Sequence, residues 1–478
     1  MSDDWRLLLP AGTAEPVARL RGSAASLSEA AGTVPPGGAF YGEAEDPERA
    51  ARELRAAGLA VTGTYAVWPD FANARAYIPL APPKAVRWFA ANLYPAWTLR
   101  KRLLRASLPF SSRSPDRGAG RLTRSFAVTA ARLEDATSPA PAIFCHPALP
   151  AALRRASPLL VRHGSERAIV LPFLPGGTAP CAAFKVPRLP AFNAKTIAEQ
   201  EALVAVRARL DPALGAALPV PGGLLGWNGG GVGGGGGVGI VGIESAASGR
   251  PFVIPGTPWR RASRRQLVDL RLATSWLTEL HRQTELARSP WGDEDVAEVS
   301  RLFEQVGSPG AERFFAAALR RAELLRGVPL PRVWQHRDFT PWNLLRAQGP
   351  HRGIRPEIRV LDWEGARPGL PVCDLVHFLT HWHELTRRAF DETSRRRAFE
   401  ELWTGRSGGG PAAGAALDAA ARYLARLRID LRFLPLLLTV TWAELAARPG
   451  GTDGGGGGGR VYLETLAARG ERLFGEGR

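Results

Sequence analysis

Read from its start, the chain changes period: apolar positions alternate in the first half and fall into helical spacing in the second. "WRLLLP" (5–10) reads as a buried strand, "PPGGAFYGE" (35–43) as a turn entering a strand, and "LAVTGTYAVWP" (59–69) alternates like a half-buried strand. Between the last two, "DPERAARELRAAG" (46–58) carries an Asp cap, a Pro in the first turn and a Gly stop, which punctuate a helix. "PKAVRWFAANLYPAWTLRKRLLRASL" (83–108) is amphipathic and basic at its end. Residues 111–155 are rich in Ser, Pro, Arg and Ala and predict a linker. Three strand-like runs follow at 158–164, 167–174 and 181–187, the last two joined by the hairpin signal "PGGTAP". A helix over 194–210 would align Ile197, Leu203, Val206 and Leu210 on one side.

After residue 263 the period becomes helical. "SRRQLVDLRLATSWLTELHRQTEL" has a Ser cap and spaces Leu267, Leu270, Leu277 and Leu280 as a helix does, and further helices are expected near 310–326, 374–390, 411–428 and 432–448. Strands with one helix, then many helices, is the plan of an α+β enzyme with two lobes and a cleft. Two glycine tracts interrupt the pattern, at 222–242 and 454–459. Neither continues into the Gly-Lys-Ser/Thr of a phosphate-binding loop, and so many glycines carry a high ordering cost, so both are expected to be loops. The first should join two strands, the second of them "VGIVGIESA" (238–246).

Composition narrows the class. The 478 residues exceed one ordinary core, so two or three domains are expected. With 45% hydrophobic and 22% charged residues the chain is an ordinary globular one. Its longest apolar run, "FLPLLLTV" (433–440), falls short of the roughly 20 residues a membrane span needs. The acidic start lacks the features of a secretory leader, and Cys145, Cys181 and Cys373 show no metal or redox spacing. A cytoplasmic protein without a membrane span is expected. The net charge of +17 invites a nucleic-acid partner. Yet the excess is almost all Arg, spread over every region rather than set in one stripe, so no specific nucleic-acid site is expected. That bias makes rare residues informative: the chain has four lysines (Lys84, Lys101, Lys185, Lys195) and five asparagines.

One of those asparagines closes "VWQHRDFTPWNLL" (333–345), and "VLDWEG" follows at 360–365. Phosphoryl transfer needs such groups: one carboxylate to orient the attacking hydroxyl, and an Asn oxygen with a second carboxylate to hold Mg²⁺ on the phosphates of ATP. As ordinary turn residues, Asp338 and Asn343 would need no further account, but four matches at this spacing argue for function. "QHRDFTPWNLL…VLDWEGARPGLPVCDLVHFL" resembles the aminoglycoside phosphotransferase/choline kinase family, whose pattern is HxDxxxxN followed by DWE. "TSWLTELHRQT" (274–284) resembles that family's helix ending in Leu-His.

The resemblance covers roughly 155–445 and implies a protein kinase-like fold, with a small β-rich N-lobe (156–250) and a large helical C-lobe (251–478). It makes Asp338 the catalytic base, His336 the brace of its loop, and Asn343 and Asp362 the Mg²⁺ ligands. It makes Lys185 the phosphate-binding lysine. Its helix partner would be Glu199, with Glu201 as rival, although Thr196 to Glu199 also reads as a capping box. "GIESAASGRPF" (242–252) matches the segment between lobes, so backbone from Glu244 to Ala246 should meet the adenine. The loop "RHGSER" (162–167) sits where the family covers the phosphates but departs from GxGxxG. His377, His381 and His383 have spacing that could bind a metal; the plainer reading is a helix capped by Asp374 with histidines on its flank. Glu364 is read as structural.

Residues 1–110 resemble the last half of a class I methyltransferase, without the glycine-rich turn that would cradle S-adenosylmethionine. A remnant that docks a partner protein is expected there, not a methyltransferase. The whole predicts an ATP- and Mg²⁺-dependent O-phosphotransferase acting on a small-molecule hydroxyl acceptor. The arginines among the acids of 385–478 favour a sugar or glycan-related acceptor over an aminoglycoside. The alternatives are a nucleotide-binding scaffold without turnover and a protein kinase-like regulator.

Overall fold

The apolar runs of the first half form strands, and several are buried on both faces: every residue of 38–44, 126–131 and 183–187 is buried. The computed structural model describes residues 4–10, 14–21, 29–93, 122–132, 140–163, 166–227, 238–247, 249–252, 264–307, 310–347, 357–405, 410–448, 456–469 and 473–474. Contacts divide the chain into two units, Met1–Gln200 with Pro219–Ser248, and Glu201–Leu218 with Gly249–Arg478. The class is α+β, with a β-sheet lobe and a helical lobe, as expected of a kinase-like chain.

The sheet unit contains β1 (Ala14–Arg21), β2 (Gly38–Ala44), α1 (Pro47–Ala56), β3 (Ala60–Trp68), β4 (Ala76–Pro79), α2 (Pro83–Asn92), β5 (Phe126–Ala131), β6 (Ser157–His163), β7 (Arg167–Phe173), β8 (Ala183–Pro187), the start of α3 (Asn193–Arg207), β9 (Pro221–Trp227) and β10 (Gly239–Glu244). The strands make one ten-stranded sheet in the order β1-β2-β5-β3-β4-β6-β7-β8-β10-β9. Only β1 and β2 pair in parallel; the other neighbours are antiparallel. Helix α1 starts as expected, with the Asp46 carboxylate accepting from the Arg49 amide at 2.9 Å.

Three expectations are corrected here. "WRLLLP" is not a strand: Asp4–Leu8 is a 3-10 helix, which lets Trp5, Leu7 and Leu8 all turn inward. Trp5 packs on Tyr41 at 4.5 Å between ring centroids, and Asp4 takes two bonds from Arg188, at 2.9 and 2.7 Å. The stretch 111–155 is not only a linker, because its fully buried "FAVTAA" is β5, wedged between β2 and β3. Polar flanks hid it from the sequence pattern. Nor does 1–110 stand apart before a small lobe. Strand β4 pairs with β6 through Ala76↔Val161 and Tyr77↔Leu160, and one core joins Trp5, Tyr41 and Tyr65 to Leu160, Val170 and Phe184. Gly58, which ends α1 as the sequence pattern expects, lies in the left-handed region at φ +81°.

Glycine placement also departs in part from expectation. Residues 221–227 form edge strand β9, paired with β10, while 228–237 lie outside the described residues. The end of the second tract, from Gly456, begins a helix rather than a loop. The amphipathic stretch 83–108 begins as helix α2 and from residue 94 lies outside the described residues, as do the Ser263 cap and part of the 162–167 loop.

The second unit holds β11 (Arg250–Pro251), α4 (Arg264–Gln283), β12 (Ala287–Pro290), α5 (Asp293–Val306), α6 (Glu312–Leu324), β13 (Pro329–Gln335), β14 (Leu344–Ala347), β15 (Glu357–Val360), β16 (Arg367–Gly369), α7 (Cys373–Arg387), α8 (Glu392–Trp403), α9 (Gly410–Arg426), α10 (Leu434–Ala446) and α11 (Gly456–Arg469). Two three-stranded sheets, β11-β14-β15 and β12-β13-β16, carry the loops of interest. Helices α5, α8 and α11 were not anticipated. The apolar run at 433–440 is core: Phe433, Leu436, Leu437 and Leu438 are buried. Among the described residues, no helix is long and apolar enough to cross a membrane.

Candidate functional site

In the sheet unit, three predicted residues come together. Lys185 on β8 pairs with Glu199 on α3, and its ammonium lies 3.1 Å from Oε1 of Glu244 at the end of β10. All three are buried. Glycine explains the closeness of helix and sheet: a Cβ on Gly242, opposite Lys185 in the register, would lie 2.8 Å from Thr196 Cγ2. Thr196 therefore packs on the sheet inside α3, which begins at Asn193, and Glu199 reaches Lys185 instead of closing a capping box. The rival Glu201 is exposed. Ala246 lies just beyond β10, half-buried, after Ser245, whose amide donates to the Val220 carbonyl at 2.9 Å.

Sequence reasoning missed Arg167 at the start of β7. It is buried, and its Nη1 donates to Glu199 Oε2 at 3.0 Å. No sequence signal marked it out among the many arginines; the register places it opposite Pro187, two residues from Lys185. Two cations and two carboxylates thus share one low-dielectric space. Burial pushes the Glu244 carboxyl up to about 7; the Lys185 charge opposes this and that of Glu199 adds to it.

In the helical unit, "HRDFTPWN" folds back after β13. The Thr340 amide donates to the Asp338 carbonyl at 2.8 Å, and the Asn343 amide donates to the Thr340 carbonyl at 3.0 Å. Phe339, fully buried, anchors the loop against Trp276 and Phe378. Arg337 and Asp362 both take left-handed backbone conformations, at φ +67° and +69°. A non-glycine residue pays for that locally and holds it only where packing and hydrogen bonds demand it.

Those bonds are specific. His336 donates from Nε2 to the Leu361 carbonyl at 2.8 Å, while its Nδ1 accepts the Asp338 amide at 3.3 Å. The Leu361 amide donates to the Asn343 carbonyl at 2.9 Å. The Asn343 side-chain amide donates to the Asp338 carboxylate at 2.7 Å and to its carbonyl at 3.0 Å. His336 thereby ties the Asp338 loop to the residue before Asp362.

Asp374 is not a helix cap, a correction to the expectation above. The helix begins after Val372, and the Asp374 carboxylate accepts the amides of His336 and Arg337, each at 2.6 Å. His281, at the end of α4, sets its Nε2 3.4 Å from the same carboxylate and bonds Tyr423 through Nδ1 at 2.5 Å. Burial alone would raise the Asp374 carboxyl, but His281, His336 and the backbone donors bring it below its ordinary value.

Asp338 keeps 47% of its side-chain surface open. Packing around its carboxyl still raises its pKa, with the Asp362 charge adding and His336 and Asn343 opposing. The donation from the Asn343 amide nitrogen leaves its oxygen for another partner. That oxygen and the Asp362 carboxylate are hard donors that fit Mg²⁺, which takes one or two protein ligands and fills its shell with phosphate and water. Among the described residues, no group of three or more His, Cys, Asp or Glu side chains is placed to hold a metal ion.

Residues 183–408 match the model of the phosphotransferase enzyme family. Solved structures similar to the chain include a glucosamine kinase in complex with glucosamine, ADP and inorganic phosphate. It is 19% identical, with 66% of this chain and 93% of that one covered and a TM-score of 0.37. A macrolide 2′-phosphotransferase from Brachybacterium faecium is 17% identical, with 67% and 93% covered and a TM-score of 0.35. An aminoglycoside phosphotransferase from Alicyclobacillus acidocaldarius is 13% identical, with 68% and 91% covered and a TM-score of 0.37. No curated protein is similar enough to match the chain.

Proposed function

We propose, from the match of residues 183–408 to the phosphotransferase enzyme family, that the protein moves the γ-phosphoryl group of Mg²⁺-ATP to a hydroxyl of a small sugar-like molecule. The observation that carries this reading is the Asp338 loop. Its carboxylate is half-open to solvent, oriented by Asn343 and braced through His336.

In this reading the acceptor hydroxyl binds at the Asp338 carboxylate, which takes its proton as the oxygen attacks phosphorus. The new P–O bond forms as the bond to the β-phosphate bridging oxygen breaks, and ADP leaves with that electron pair. Asn343 and Asp362 hold Mg²⁺, whose charge when bound offsets that of the phosphates. Lys185, fixed by Glu199, neutralises the α- and β-phosphates, with Glu244 to Ala246 on the adenine. The raised pKa of Asp338 makes it a better proton acceptor than an exposed aspartate. Arg448 donates to the Arg337 carbonyl at 3.2 Å, a cation beside the loop that favours a neutral or anionic acceptor over a polyamine, while the Arg337 charge is met by Glu444 at 2.7 Å. The three cysteines are free, in keeping with a cytoplasmic setting.

The test pairs binding with turnover. Mg²⁺-ATP should raise the melting temperature of the wild type and lose that effect in Asp362→Asn. Acceptor-dependent ADP release should fall about 10²- to 10⁴-fold in Asp338→Asn, the range for loss of a general base. Undiminished release in Asp338→Asn would sink the reading.

A further inference from the structure

Helix α7 presents a buried, unsatisfied imidazole to the half-open Asp338. His377 is 8% exposed, and its Nδ1 has no hydrogen-bond partner among the described residues. That nitrogen lies 4.0 Å from Asp338 Oδ1, too far for a direct hydrogen bond. A buried polar atom left without a partner costs stability, so this nitrogen, beside a reactive carboxylate, is placed to take a polar group of a ligand.

The surroundings form a built wall. One turn along α7, the His381 ring lies 4.8 Å from that of His377. Its orientation is fixed: His381 Nδ1 bonds Glu384 at 2.9 Å, and Glu384 also accepts the Tyr462 hydroxyl from α11. Because the carboxylate only accepts, the His381 proton sits on Nδ1. Trp442 closes the far side, with its ring 6.0 Å from His377. Trp342, next to Asn343, stands edge-on to His381 at 5.2 Å and remains 48% exposed, an indole beside the loop with surface to spare.

Resting on the phosphotransfer reading above, we propose that His377, His381 and Trp342 form the acceptor subsite, holding two neighbouring hydroxyls of a neutral sugar, one on Asp338 and the other on His377 Nδ1. A hydroxyl both donates and accepts, so it pairs with a neutral imidazole in either tautomer. Two adjacent hydroxyl oxygens, each in a hydrogen bond of about 2.8 Å, span a gap of this size. The C–H face of a sugar ring is apolar and packs on an indole, as ligand sites with aromatic walls and few polar groups do. Burial above all, with the Arg448 and Arg337 guanidinium charges adding to it, holds His377 well below the ordinary histidine range and so neutral. The Arg448 guanidinium, which donates to the Arg337 carbonyl at 3.2 Å, opposes an ammonium group beside this loop.

The experiment uses the full-length protein and measures ADP release from Mg²⁺-ATP with glucose, galactose, mannose and N-acetylglucosamine, each beside its analogue deoxygenated next to the phosphorylated carbon, and with kanamycin. At least one hexose should raise turnover tenfold or more over the acceptor-free rate, and its deoxy analogue should lose about tenfold in kcat/KM. In His377→Leu the KM for the hexose should rise about tenfold, the KM for ATP should stay within about twofold, and the deoxy analogue should lose no further activity. His377→Asn, which retains a polar atom near the Nδ1 position, should recover part of the loss.

Turnover of ATP without stimulation by any hexose overturns the subsite and leaves the phosphotransfer reading standing. Kanamycin as the best acceptor does the same. A His377→Leu variant whose KM values for sugar and ATP rise together, with no rescue by Asn, makes His377 structural and overturns the proposal. Absence of both Mg²⁺-ATP binding and turnover in a folded protein removes the subsite together with the reading beneath it.

Discussion

At the residue scale, Glu244 shows how burial rewrites a side chain. One of its carboxylate oxygens faces the Lys185 ammonium at 3.1 Å, and the other is buried without a hydrogen-bond partner among the described residues. Its pKa is raised by burial from 4.5 to about 7. Between those values the folded state holds a proton that the unfolded chain has released, so this group's contribution to stability falls as pH rises through that window. Glu244→Gln removes the titration. Urea midpoints at about pH 5 and pH 8 should therefore fall less with rising pH in the variant than in the wild type; identical falls would show that Glu244 does not titrate there. The residues of this cluster were unequally legible. Lys185 stood out because lysine is scarce in an arginine-rich chain, and Glu199 because of its place on the next helix. Arg167 was one arginine among many, and only the sheet register brings it to Glu199.

At the scale of elements, "HRDFTPWN" and "VLDWEG" were readable because a tight loop needs its polar groups at fixed spacing. Short elements were not. A 3-10 turn and a strand of five apolar residues look alike in a period count, which is why Asp4–Leu8 was mistaken for a strand. Strand β5 was hidden by its Pro- and Arg-rich flanks, yet it is fully buried between two neighbours. A prediction follows for truncation. A fragment starting at Ala156, the boundary the sequence suggests, loses β1–β5 and bares the edge of β6 together with Leu160 and Phe173. An uncovered apolar edge invites aggregation, so the fragment should elute as aggregate in size-exclusion chromatography. A monodisperse fragment with the wild-type Mg²⁺-ATP thermal shift would show the N-terminal strands to be dispensable.

At the scale of the whole molecule, the net charge of +17 acts at a distance. With arginines spread over the surface, the protein should bind a random duplex of about 20 base pairs weakly at low salt. The affinity should fall steeply between about 50 and 200 mM salt, without sequence preference, as counterion release requires. Binding that resists salt or prefers one sequence would reveal a dedicated site. The sequence by itself determined the α+β class, helix α1 with its Asp cap, the helices with long apolar stripes such as α4, and the spacing of His336, Asp338, Asn343 and Asp362. These are local properties, set by the reach of a few bonds and the period of a strand or helix. Tertiary structure alone decided which distant residues serve those local groups. Asp374 holds the Asp338 loop through two backbone amides, Arg167 joins Lys185 on Glu199, and the N-terminal strands complete the sheet that carries Lys185. Such partnerships depend on strand order and on helix packing between residues far apart in the chain, and no periodicity in the sequence records them.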